Sequence, residues 1–156
     1  MPFRLFHDFF PEVAERETRS ITVLPHAKIA LPAGSYGFLE MFCDERGCDC
    51  RRVFFAVTAS FRKNPQAVVA WGWEDLAFYA RWMMYGDPQD AKKLQGPILN
   101  MTSPQSDLAG AILELTRKAL LADAEYVARV KRHYAMFRSR VDGGRKKHFR
   151  KKKPDG

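Results

Sequence analysis

The sequence is short of several things. Across 156 residues there are only three cysteines and four histidines, and no run of 18 or more apolar residues. Without such a run no helix crosses a bilayer, so no membrane partner is expected. The opening Met-Pro-Phe-Arg-Leu-Phe-His-Asp lacks the charged-then-apolar layout of a secretory leader, which points to a cytoplasmic protein. An odd number of cysteines in a reducing compartment argues against a structural disulfide framework. Signatures of turnover are missing as well. There is no Gly-x-Ser-x-Gly elbow, no Gly-x4-Gly-Lys loop, no Gly-x-Gly-x2-Gly fingerprint and no His-Glu-x2-His pair, so no catalytic residues are assigned.

What is present is ordinary in bulk and uneven in placement. Hydrophobic residues make up 46 % and aromatics 13 %, enough bulky material for one folded core and too much for a disordered chain. The formal charge is +8, but residues 1–137 hold 17 Lys+Arg against 16 Asp+Glu, so the basicity belongs to the end. Gly143-Gly144 should stop the preceding helix, and the block that follows should be a solvated arm. This reading divides the chain into one domain over 1–142 and a flexible basic tail over 143–156. Arg138, Arg140, Arg145, Lys146, Lys147, Arg150, Lys151, Lys152 and Lys153 are candidates for salt-dependent contact with nucleic acid or another polyanion.

The periodicity predicts an α+β fold: a small antiparallel β-meander packed against helices on one face, with a helical C-terminal half. Phe6, Phe9, Phe10 and Val13 recur at helical spacing within 3–16, where Pro11 can split the segment. Strands are expected at 20–24, 28–31, 36–43, 50–60 and 67–71, from their β-branched and aromatic content. Short links between them favour antiparallel pairing. Beyond Trp73 the spacing turns helical, with Asp75, Ser106 or Asp107, and Asp123 as caps. Trp71 and Trp73 read as a core edge, and Glu74-Asp75 as a helix start. Val127, Val130, Tyr134, Phe137 and Val141 form a last stripe, for the sheet or for the seam of a homodimer.

All three cysteines fall within eight residues, as Cys43-x4-Cys48-x-Cys50. If strands 36–43 and 48–60 form a hairpin, residues 44–47 are a four-residue loop with Gly47 supplying positive φ. Cys43 would then face Cys48, and Cys48 and Cys50 would share a face. Three sulfurs at one tip suit a thiolate metal site, with zinc as the expected ion. His26 is the first candidate for a fourth ligand, followed by His7, His133, Asp44 and solvent. Arg46, Arg51 and Arg52 would offset thiolate charge and lower the thiol pKa values. A redox exchange pair and three reduced, merely packed cysteines are the alternatives.

The stretches Glu17-Thr18-Arg19-Ser20-Ile21-Thr22-Val23 and Leu31-Pro32-Ala33-Gly34-Ser35-Tyr36, with the 43–52 cluster and Lys131-Arg132-His133-Tyr134, resemble an uncharacterised family of bacterial cytosolic proteins. The resemblance covers roughly residues 5–140. Some members of that family end in a small zinc module of the SEC-C type, which this chain lacks. The resemblance implies metal or partner binding and brings no established activity.

Overall fold

The computed structural model describes residues 3–151, with side chains described over 3–143. The chain runs β1 (Phe3–Leu5), α1 (Phe6–Phe9), α2 (Pro11–Glu17), β2 (Arg19–Val23), β3 (Gly34–Cys43), β4 (Arg52–Ala59) and β5 (Ala67–Gly72). It continues through α3 (Leu76–Trp82), α4 (Pro88–Gln95), β6 (Ile98–Leu99), α5 (Ala109–Leu115), a π-helical turn (Thr116–Leu120) and α6 (Ala124–Lys151). This is the expected α+β architecture. Strands β2 to β6 pair antiparallel in chain order, and β1 shares the edge of β3 that β2 occupies. Phe3 lies opposite Cys43, and Val23 lies opposite Gly34, so β1 and β2 take the two ends of that edge.

Side-chain alternation sorts the sheet into two faces. Tyr36, Phe38 and Phe42 of β3 face the same way as Val53, Phe55 and Val57 of β4 and Val69 of β5, and all are buried. Helix α6 crosses this face with Tyr126, Val130, Tyr134 and Phe137, so its stripe is spent within the chain. Each large side chain buried here contributes roughly 1.5–3 kcal/mol. The other face carries a smaller cluster of Phe54, Val68 and Ala70, with Phe3 stacked on Phe54. Because both faces are covered, β4 is buried at nearly every position, which explains its continuous apolar run.

Several boundaries differ from expectation. Residues 3–5 form an edge strand instead of helix, and Pro11 opens α2 as its first residue, where its missing N–H costs nothing. Residues 28–31 are a series of bends without a ladder. The β3–β4 connection covers 44–51, twice the four residues expected, so Cys48 and Cys50 belong to a loop and not to a strand. Helices are not confined to one face: the buried Arg52, on the Phe54 side of β4, donates to Leu94 O of α4. The backbone of α6 continues through Gly143 and Gly144 to Lys151. Glycine weakens a helix by about 1 kcal/mol against alanine but does not forbid it, and the flanking Arg and Lys are good helix formers. The tail expected over 143–156 falls, from residue 152 and for side chains from 144, outside the described residues.

Candidate metal centre

Cys43 closes β3, and Cys48 and Cys50 come from the loop that follows. Their sulfurs lie within 4.8 Å of one another, as the clustered spacing predicts. All three are free thiols; Cys43 and Cys50 are fully buried and Cys48 is half-buried. Zinc–sulfur bonds of about 2.3 Å at tetrahedral angles set sulfurs about 3.8 Å apart, so a group this tight is close enough to hold an ion. Each sulfur also receives a backbone N–H from two residues further on. Glu45 N–H is directed to Cys43, Cys50 N–H to Cys48 and Arg52 N–H to Cys50. Donors aimed at a sulfur favour its thiolate, which is the form a metal binds.

The loop takes this shape through two left-handed residues and a set of outside supports. Gly47 (φ 77°) makes the turn that only glycine takes freely, and Arg51 (φ 49°) reverses the chain into β4. Arg51 N–H donates to Tyr134 Oη at 3.1 Å, and its carbonyl accepts from Tyr79 Oη at 2.8 Å. Tyr79 reaches that carbonyl across Gly72, where a Cβ would stand 2.0 Å from the tyrosine oxygen. The Arg51 side chain turns outward to Asp49, to Glu74 and over the Phe78 ring. From α6, Arg138 donates to Cys48 O at 2.6 Å and Glu45 O at 3.2 Å, while Asp142 accepts from Gly47 N–H at 2.9 Å.

The electrostatics depart from the sequence reading. Arg46, Arg51 and Arg52 were expected to lower the thiol pKa values, yet all three thiols are raised. Burial is the main cause at each, and neighbouring sulfurs add to it. Arg46 is exposed and Arg51 is committed to Asp49, which leaves Arg52 beside Cys50 and Arg138 beside Cys43 as the compensating cations. Both guanidinium groups are buried. Arg52 has no carboxylate within 4.0 Å among the described residues, and Arg138 has only Asp142, at 3.9 Å from a buried Nε that lacks a hydrogen bond. Buried cations ordinarily stand against anions, and here the groups able to become anionic are the cysteines.

The remaining candidates sort clearly. His26 is not brought to the cysteines. It lies in the turn after β2, beyond the Val23–Gly34 end of β3, whereas Cys43 stands at the opposite end, about 30 Å away along a ten-residue strand. The sequence argument failed because it placed His26 by loop adjacency without the direction of β3. His7 is exposed, and Asp44 is paired with Arg4 at 3.5 Å. Arg138 is not available to a phosphate backbone, since it is buried and bonded to loop carbonyls. Arg140 is exposed with its guanidinium over the Phe9 ring. The side chains of Arg145, Lys146, Lys147, Arg150, Lys151, Lys152 and Lys153 lie outside the described residues.

His133, the other histidine considered as a fourth ligand, has both ring nitrogens bonded elsewhere, in a second buried polar group. His133 of α6 bonds Glu40 through Nδ1 and Glu17 through Nε2, both at 2.7 Å, and Tyr126 Oη donates to the other Glu40 oxygen at 2.8 Å. Burial works to lower the imidazole pKa, but hydrogen bonds and charge from Glu40 and then Glu17 outweigh it, so it ends raised. Hydrogen bonds from His133 and then Arg132 bring Glu17 down to about 2. The adjoining cavity holds about 10 Å³, room for about one water and for no substrate. Glu40 was the missed member: a lone glutamate at an inward position of an apolar strand was the available signal. No protein-family model, curated protein or solved structure matches this chain.

Proposed function

We propose that this chain is a cytoplasmic zinc-binding protein with a structural or interaction role, its ion held by Cys43, Cys48 and Cys50. The observation that supports it most is the meeting of three sulfurs within 4.8 Å, each with a backbone donor, beside two buried arginines. A fourth position falls to solvent or to a partner, on the side of the half-buried Cys48. The same cluster is the ground for placing the chain with the uncharacterised family it resembles. A redox role is less well supported, because burial raises all three thiols where an exchange nucleophile needs a lowered pKa. The test is metal content per chain in untagged protein purified without chelator, with thiol titration of the same sample. One zinc per chain, and thiols that react only after chelation, is the expected result. Three freely titrating thiols after anaerobic zinc reconstitution would remove the proposal. The second reading, polyanion binding by Arg145 to Lys153, draws on seven Lys+Arg in nine residues. It predicts that deleting 143–156 abolishes salt-sensitive retention on nucleic acid and leaves metal content unchanged.

A further inference from the structure

Three side chains at four-residue intervals along α6 hold the cysteine loop mainly by its backbone, with one further bond from Tyr134 Oη to Asp49 at 3.4 Å. Tyr134 accepts from Arg51 N–H, Arg138 donates to the carbonyls of Cys48 and Glu45, and Asp142 accepts from Gly47 N–H. We propose that occupancy of the three-cysteine site governs whether the α6 turn over residues 138–142 stays docked on the loop, so that metal loading is transmitted along α6 towards the basic stretch 145–153. This rests on the metal reading above and names the regulation of that site.

The argument begins with how little the loop does for itself. Between β3 and β4, the main-chain bond formed within the loop among the described residues is Cys48 N–H to Glu45 O, at 3.2 Å. Tyr79 and Trp73 hold the Arg51 carbonyl where the loop enters β4, and over residues 45–48 the backbone partners outside the loop come from α6. An ion joining Cys43, Cys48 and Cys50 would fix residues 43–50 as one ring and present the Glu45 and Cys48 carbonyls and the Gly47 N–H together. Without the ion nothing joins the three sulfurs, and the carbonyl pair loses its common orientation.

Arg138 converts that local change into a larger one. Its guanidinium is buried, its two good acceptors are the loop carbonyls, and its Nε has no hydrogen bond. A buried cation that loses its acceptors becomes more stable in water, so the side chain leaves and takes its helical turn with it. Upstream, α6 is anchored independently by Tyr126, Val130, His133 and the fully buried Phe137. The transition is therefore confined to the helix beyond Phe137. That stretch leads directly into residues 145–153, where seven of nine are Lys or Arg.

The experiment is hydrogen–deuterium exchange by mass spectrometry on the full reduced chain, zinc-loaded and chelated under anaerobic conditions, with zinc stoichiometry measured in parallel. We expect peptides covering 138–143 to exchange at least tenfold faster after chelation, with peptides from β4 and from 124–131 unchanged. Arg138→Gln should bind one zinc per chain yet exchange rapidly over 138–143 in both states. Because Arg138 is buried, Asp142→Ala gives a milder test at the half-buried end of the clamp, with the zinc-dependent difference reduced to about threefold or less. One zinc per chain with identical exchange in the two states overturns the coupling and leaves the metal site standing. Failure to bind zinc at all overturns both.

Discussion

Two buried polar clusters among the described residues differ in how completely they are satisfied. In the Glu17–His133–Glu40–Tyr126 group both ring nitrogens are bonded, the tyrosine hydroxyl has its acceptor, and Arg132 pairs the outer carboxylate at 2.6 Å. Around the cysteines the balance is unfinished: two buried guanidinium groups face three thiols that burial holds protonated. A closed network is a structural fastening between α2, β3 and α6. An open one, with cations in excess and sulfurs converging, is matched to something that arrives with the power to ionise the thiols. A divalent ion on three thiolates carries a net charge of −1, which the neighbouring arginines would neutralise.

The comparison can be broken at either cluster. The largest effect is expected from Cys50→Ser, which removes the most deeply placed sulfur. Zinc per chain should fall from one to below about 0.1 in equilibrium dialysis, with affinity down by more than 100-fold. Next comes Glu40→Ala, which strands His133 Nδ1 and the Tyr126 hydroxyl in the core. Urea unfolding should show a loss of about 3–5 kcal/mol, typical of breaking a buried ionic partner, and zinc stoichiometry should not change.

The pH response is smaller and has a definite sign. His133 has a folded pKa above its ordinary 6.5, so its contribution is complete below about pH 6.5 and is lost as pH rises through the raised value. Glu17 works the other way: its contribution is complete above about 4.5 and disappears as pH falls towards 2. Thermal melts of the chelated protein should therefore be most stable between about pH 4.5 and 6.5 and decline as pH rises above about 6.5. His133→Gln should flatten the upper decline, and an unchanged slope in that variant would refute the assignment. The smallest effects belong to Asp44→Asn and His26→Ala. Each should leave zinc stoichiometry untouched and change stability by less than about 1 kcal/mol, as expected for surface positions. A loss of zinc in either would overturn the account of the site.

Much of the architecture was legible because burial imposes visible periods. The even positions 36, 38 and 42 of β3 and the continuous apolar run of β4 report one covered face and two. Asp75 and Asp123 do cap α3 and α6 through their side chains. The cysteine group was legible from clustering alone. Its interior was not, since hairpin reasoning assumed the shortest loop, whereas residues 44–51 are held by Tyr134, Arg138 and Tyr79 from distant helices. The exchange of roles among the arginines was equally hidden. Position in sequence pointed to Arg46 and Arg51 as thiol neighbours, but a flexible charged side chain goes where its carboxylates are, and Asp49 and Glu74 took Arg51. Arg138 entered the site from 90 residues away.

The pairing of Phe3 with Cys43 has a practical consequence for anyone preparing this protein. Anything attached ahead of Phe3 is tethered opposite Cys43, and each residue reaches up to about 3.5 Å. A short run of histidines placed there for affinity capture would be within reach of the three sulfurs. The purification handle would then become a ligand, and the metal measured would be partly one that the handle had recruited.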